Sequence, residues 1–234
     1  MHHIFRHALL AFIVATSSWA QAAFEGCQDQ FPGKQPPVIT ATQHRDICFN
    51  SFAVLHSGAT KTPVYVVERL NKDRLLDAKG EKRTNKFYEE ARLPIRDRAT
   101  LNDYKGSGFD RGHMAPAGDM PNPEAMAQSF SLSNVVPQSR QHNQRLWAKI
   151  ENDTRKYVMR ASGDVFVFTG PWYKNGHQTI GAGRVAVPDV IWKMVYDAST
   201  GRSWVFWSEN RDDAQMMPPI SKSEFEARSG LLLF

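Results

Sequence analysis

Apolar and polar positions change rhythm several times along this 234-residue chain. In Thr62–Leu70 (TPVYVVERL), β-branched and aromatic residues crowd together, the pattern of a strand. Ser129–Val136 (SFSLSNVV) predicts a shorter strand ended by Pro137. Gln141–Ala161 predicts the longest helix, because Leu146, Ile150 and Tyr157 recur at helical spacing with charges interleaved. Val165–Thr169, Arg184–Val187, Val190–Tyr196 and Trp204–Trp207 then read as strands, separated by turn signals such as Thr169-Gly170-Pro171 and Thr200-Gly201. Near the end, Ser221-Lys222-Ser223-Glu224 has the form of a capping box opening a short helix that stops before Gly230. Residues 23–50 are polar and Gln/Pro-rich and predict a loosely structured lead-in; Asn71–Asn102 is charged, lacks a clear period and predicts mostly loops. Strands outnumber helices and their connections are short. The expected fold is therefore α+β, a central, mainly antiparallel β-sheet with flanking helices.

The first 22 residues follow another logic. Arg6, with His2, His3 and His7, precedes the apolar run Ala8–Ala15, and Ala20-Gln21-Ala22 supplies a small-residue cleavage site. That is the layout of a secretory signal peptide, with an uncleaved anchor as the alternative. The expectation is a signal peptide at 1–22 and one domain at 23–234, periplasmic or secreted, with no membrane span once the leader is removed. Cys27 and Cys48 are the only cysteines. In an oxidising compartment their pairing would staple the lead-in at 23–60 and contribute about 3 kcal/mol. Their spacing fits no zinc site. The net charge is +5, or +4 without Arg6. This suits a polyanionic partner, and without a dense Lys/Arg run it does not describe a disordered basic arm.

The candidate chemistry centres on GSGFDRGHMAPAGDM, residues 106–120. On an extended chain Arg111 and His113 point to one side. Hydrolysis of a phosphodiester needs an activated water, neutralised phosphoryl oxygens and help for the leaving 3′ oxygen. A neutral histidine can act as the base, and an arginine fork can hold the phosphate. A hard cation can stabilise the leaving group; Mg²⁺ keeps several waters, so very few protein ligands suffice. On the predicted helix Asn143, Trp147 and Glu151 lie at i, i+4 and i+8 and share a face. Alone, that face reads equally as solvated, and Asn143 reads equally as a helix cap.

Three motifs in order change the picture: Gly108-Phe109-Asp110-Arg111-Gly112-His113; Leu132-Ser133-Asn134-Val135-Val136-Pro137-Gln138; and His142-Asn143-Gln144 followed by Trp147 and Glu151. Together they resemble the DNA/RNA non-specific (sugar-non-specific) endonucleases of the ββα-metal type, the group that includes mitochondrial endonuclease G. The resemblance runs from about Arg83 to the C-terminal Gly230–Phe234. It implies a ββα-metal motif in which His113 ends a hairpin strand facing the start of the Asn143 helix. It implies His113 as general base, Asn143 as direct metal ligand and Glu151 acting through metal-bound water. Arg111 would bind phosphate or stabilise the transition state, and Asn134 would support the site's geometry. Arg83, in Lys82-Arg83-Thr84-Asn85, is similar to an upstream family arginine that contacts phosphate. The implied cofactor is Mg²⁺, with Mn²⁺ or another divalent cation as an option, and the implied substrates are DNA and RNA. Oligomeric state stays open, a homodimer included.

Each residue keeps a plainer reading at this stage. His113 could be a turn histidine, Arg111 an ion-pair partner of Asp110 or Asp119, and Asn134 a turn former before Pro137. Asp110 is placed behind the site and Asp119 outside its chemistry, and the motif glycines are read as room for a phosphate backbone. His44, His56, His142 and His177 read as surface or structural. Trp172, Tyr173, Trp192, Trp204, Phe206 and Trp207 read as core, with Pro171-Trp172-Tyr173 the most open to base stacking. Two rival functions stand beside the nuclease: a catalytically silent nucleic-acid-binding or uptake protein, and a phosphodiesterase of small nucleotides.

Overall fold

The computed structural model describes residues 23–39 and 43–234, so the leader expected at 1–22 lies outside the described residues. In chain order the strands are β1 (His44–Cys48), β2 (Ala53–Ser57), β3 (Thr62–Leu70), β4 (Asp110–His113), β5 (Val135–Gln138), β6 (Val165–Trp172), β7 (Thr179–Ile180), β8 (Val185–Ala186), β9 (Val190–Asp197) and β10 (Arg202–Glu209). The helices are α1 (Lys72–Asp77), α2 (Leu101–Tyr104), α3 (Pro123–Ser129), α4 (Ala148–Val158) and α5 (Lys222–Ser229). Six strands form one antiparallel sheet in the order β1-β2-β3-β6-β9-β10. The expected α+β architecture holds. Among the described residues no helix is long and apolar enough to cross a membrane.

The central strands are apolar on both faces, so the sheet needs two covers. Val54, Val66 and Ile191 point to one side, where they pack with Met114, Phe130, Trp147 and Ile150 from the β4–β5 hairpin region and the α4 helix. Their neighbours Leu55, Val67 and Trp192 point to the other, against Phe24, Phe31, Phe225 and Leu233. Residues from the 24–31 and 225–233 segments thus complete the second core. This corrects the expected loose lead-in. Phe24 and Phe31 are buried, β1 pairs with β2, and a disulfide joins Cys27 to Cys48 with Cα atoms 5.7 Å apart.

Other boundaries moved for local reasons. Asn71 caps α1 by accepting from the Arg74 N–H, so the 71–102 segment is not all loop. Ser129–Val136 is not one strand: Ser129 ends α3, Leu132–Asn134 makes a 3₁₀ turn, and β5 runs from Val135 through Pro137. Ser221 does cap α5 by accepting from the Glu224 N–H, and Gly230 closes that helix at φ 72°. Trp172 is half-buried at the end of β6, so Pro171-Trp172 lies in a strand and not in a turn.

His56 on β2 is buried and pairs through Nε2 with the Asp97 carbonyl at 2.9 Å. Burial outweighs that contact and lowers its pKa from 6.5 to about 4. The folded state therefore binds fewer protons than the unfolded chain below about pH 6.5. The resulting stability is fully present above that pH and is lost as pH falls towards 4, about 3 kcal/mol in all. Unfolding free energies measured by urea titration from pH 7 to 4.5 should decline, and His56→Gln should flatten the decline. An equal slope in the variant would contradict this assignment.

Candidate active site

β4 pairs with β5 so that His113 opposes Val135, Gly112 opposes Val136, Arg111 opposes Pro137 and Asp110 opposes Gln138. Strand alternation sends Arg111 and His113 to the same side, and both line a cleft of about 300 Å³. Arg83 lines it as well. The remaining wall comes from the helix, whose first turn, His142–Trp147, is π-helical before α4 begins. The wider turn shifts the helix face. Asn143, Ala148, Glu151 and Arg155 line the cleft, while Trp147 turns inward and is buried. The expected common face of Asn143, Trp147 and Glu151 is corrected accordingly: Asn143 and Glu151 share the cleft and Trp147 belongs to the core.

Asn143 is not a cap. Its Nδ2 donates to Asp110 Oδ2 at 2.9 Å, which fixes the amide and directs its carbonyl oxygen away from Asp110. Gln144 Nε2 donates to the same oxygen at 2.8 Å, and Arg140 Nε lies 3.7 Å from Asp110 Oδ1. Arg111 makes no ion pair with Asp110 or Asp119 among the described residues. Its guanidinium stacks over Phe87 at 4.4 Å, a neutral support that leaves its charge for a ligand. Arg83 is held by Asn85 Oδ1 at 2.7 Å and lies 5.0 Å over Phe130.

Arg155 was missed in the sequence, and Asp119 was set aside. Asp119 is buried and accepts from Arg155 Nη1 at 2.8 Å, so a residue set aside from the chemistry holds a third arginine at the cleft. The available signal was spacing, since Arg155 lies four residues beyond Glu151 on one helix. The glycines also have another use. A Cβ on Gly112 would sit 1.9 Å from Gln138 Oε1, so this glycine admits Gln138, while Gly106 and Gly108 turn the chain at φ 70° and 84°.

Asn134 is not in the cleft. It is buried, donates from Nδ2 to the Ala115 carbonyl (2.9 Å) and the Ser129 carbonyl (2.8 Å), and accepts from the Ala115 N–H at 2.9 Å. Its side chain thereby ties down the chain immediately after His113.

Electrostatics separate the base from the acid. His113 packs between Phe87 and Phe130, with ring centroids 5.3 and 5.0 Å away. Burial, helped by Arg83 and Arg111, lowers its pKa to about 3, so it is neutral near pH 7. Its Nε2 is buried without a partner, which leaves Nδ1 as the nitrogen able to meet a water in the cleft. Burial raises Glu151 to about 7, against the opposing pull of buried Lys193. Among the described residues the Glu151 carboxylate has no hydrogen bond or ion pair, although it lines a polar cleft.

A hard divalent cation fits this donor set. One oriented amide oxygen and one unpartnered carboxylate are oxygen ligands, and the cleft has room for water. No group of three or more His, Cys, Asp or Glu suited to a metal occurs among the described residues. A larger groove of about 730 Å³ beside Trp172 and Trp207 contains none of these groups.

A family model described as DNA/RNA non-specific endonuclease matches residues 32–228. The chain belongs to that family. Human "Endonuclease G, mitochondrial" is 34% identical over 202 residues, covering 78% of this chain and 67% of that protein. "Nuclease C1" of Cunninghamella echinulata var. echinulata is 38% identical over 157 residues, 62% of each chain. "Nuclease EXOG, mitochondrial" of Xenopus laevis is 36% identical over 168 residues, covering 67% of this chain and 46% of that one. The chain thus spans about half the length of the EXOG proteins it matches. A chain of the EndoG/EndoGI complex shares the fold, with a TM-score of 0.74 and 24% identity over 83% of this chain and 86% of its own. The motif-based resemblance and the family assignment agree.

In this DNA/RNA non-specific endonuclease family member, Asn134 is a structural support with a measurable cost. Asn134→Ala leaves three buried backbone groups without partners and should destabilise the fold by about 2–4 kcal/mol. Urea unfolding at pH 7 measures this; an unchanged midpoint would remove Asn134 from its supporting role.

Proposed function

We propose that this protein is a metal-dependent endonuclease that hydrolyses phosphodiester bonds in DNA and RNA with little sequence preference, with His113 as general base. The observation that carries the reading is one cleft in which a neutral histidine, three arginines, an oriented asparagine and an unpartnered glutamate converge. Arg83 and Arg111 flank His113 and would bind the non-bridging oxygens of a phosphate, with Arg155 adding a third positive charge. His113 Nδ1 would take a proton from a water whose oxygen forms the new bond to phosphorus as the bond to the 3′ oxygen breaks. The leaving oxygen takes up a proton, giving a 3′ hydroxyl and a 5′ phosphate. Asn143, with Glu151 through water, would hold Mg²⁺ or a similar divalent ion; bound there, it stabilises charge on the leaving oxygen. Contacts made to phosphates carry no base information, which supports non-specificity.

The arginines and the base are linked. Burial first, and their charges in addition, hold His113 far below 6.5 in the free protein; a bound phosphate would neutralise the arginines' share and strengthen the base. His113 protonation in the free protein therefore produces no limb in kcat/KM between pH 5 and 8, contrary to the simplest expectation for a histidine base. Glu151 is the cleft group that titrates in that range. We also place the mature chain outside the cytoplasm, in the periplasm or secreted. The leader pattern of residues 1–22 and the Cys27–Cys48 disulfide support this.

Plasmid DNA and RNA should both be cut with Mg²⁺ and spared with EDTA. His113→Ala should lower the rate by about 10³-fold or more while leaving nucleic-acid binding nearly intact. Binding without cutting by the parent chain would favour a silent binding protein. Preference for a dinucleotide over a long duplex would favour a small-molecule phosphodiesterase. In the same assay Asn143→Ala should shift the Mg²⁺ titration to higher concentration; an unchanged titration would remove Asn143 from the metal site.

A further inference from the structure

Two consecutive helix residues grip two directly opposed residues of the hairpin. Asn143 Nδ2 reaches Asp110 at 2.9 Å, and Gln138 Nε2 reaches His142 Nδ1 at 2.7 Å, while Asp110 and Gln138 are register partners on β4 and β5. The Gln138 amide nitrogen can only donate, so His142 Nδ1 accepts and its Nε2–H is left to donate. That proton meets Ser208 Oγ on β10 at 2.8 Å. The imidazole also stacks on Trp147, with centroids 5.6 Å apart. His142, Gln138 and Ser208 are all buried. Gln138 in turn fills the space left by Gly112, between Arg111 and His113.

We propose that His142 is a positioning residue. With Gln138 and Ser208 it locks the π-helical turn onto both the hairpin and the main sheet, so that the Asn143 oxygen keeps a fixed separation from His113. Asn143 and Gln144 both bond to the single Asp110 oxygen, a point about which the turn can pivot; the His142 contact to Gln138 on the opposed strand removes that freedom. A misplacement of about 1 Å at a reacting centre can cost 10²-fold in rate. The inference rests on the nuclease reading above, in which Asn143 holds the metal.

Three variants of the full chain separate the contacts. His142→Phe keeps the ring's shape and its stacking on Trp147 and loses both hydrogen bonds. His142→Asn places an acceptor near the Nδ1 position towards Gln138, and His142→Gln places a donor near the Nε2 position towards Ser208. The readouts are calorimetric affinity for Mn²⁺ alone, without nucleic acid, and kcat and KM on plasmid. In His142→Phe the Mn²⁺ Kd should rise about 10-fold and kcat fall about 10- to 100-fold with KM for DNA little changed. His142→Asn should recover most of both losses. A folded Phe variant with parental Mn²⁺ affinity and kcat would overturn the proposal, as would an Asn variant no better than Phe. If the Phe variant does not fold, Ser208→Ala decides: a raised Mn²⁺ Kd supports the proposal and an unchanged one overturns it. A parent chain that binds Mn²⁺ without cutting nucleic acid defeats the nuclease reading, and the Mn²⁺ series still decides the role of His142.

Discussion

The central strands of the six-stranded sheet are apolar on both faces, and most of the architecture follows from covering them. On one face the cover comes from the lead-in at 24–31 and from the C-terminal segment, which explains why a polar, Pro-rich lead-in carries two phenylalanines and a disulfide. On the other it comes from the β4–β5 hairpin region and the α4 helix. These two elements meet the sheet through Met114, Trp147 and Ile150 and leave a cleft between their polar sides. The site is thus built on packed elements, with Asn134 fixing the chain after His113 and Asp110 fixing Asn143. Rigid support of this kind is what a site needing sub-ångström placement requires.

Charge is arranged in the same economical way. Asp110 and Asp119, the two aspartates of the motif around Arg111, are engaged by Asn143 and Arg155. They therefore do not neutralise Arg111, whose support is the face of Phe87. The cleft keeps a positive potential for a polyanion, and the same potential adds to burial in keeping His113 uncharged. Recognition and activation then share one set of residues.

Much of this was legible in the sequence, and the rest was hidden for identifiable reasons. Thr62–Leu70 announced β3 because its β-branched run has clear ends. The Asp-Arg-Gly-His and Asn143–Glu151 motifs exposed the cleft because each residue type matched a step of one chemistry. Trp147 was misplaced because a π turn adds width that a 3.6-residue period does not anticipate. Asp119 was set aside because its partner Arg155 is 36 residues away, and local spacing carries no sign of that contact. β1 and the buried Phe24 were obscured because polar residues surround them, and their burial depends on a sheet formed by distant strands.

The claim that ties the fold to the chemistry is that burial and the arginines hold the His113 pKa far below 6.5, and that a bound phosphate raises it while the ring stays neutral near pH 7. NMR titration of the His113 ring, in the free protein and with a saturating nucleoside 3′,5′-bisphosphate, tests it directly. The account predicts a pKa near 3 in the free state and a clear rise towards 6.5 with the ligand. A free-state value already near 6.5, or one that the bisphosphate does not move, would contradict it.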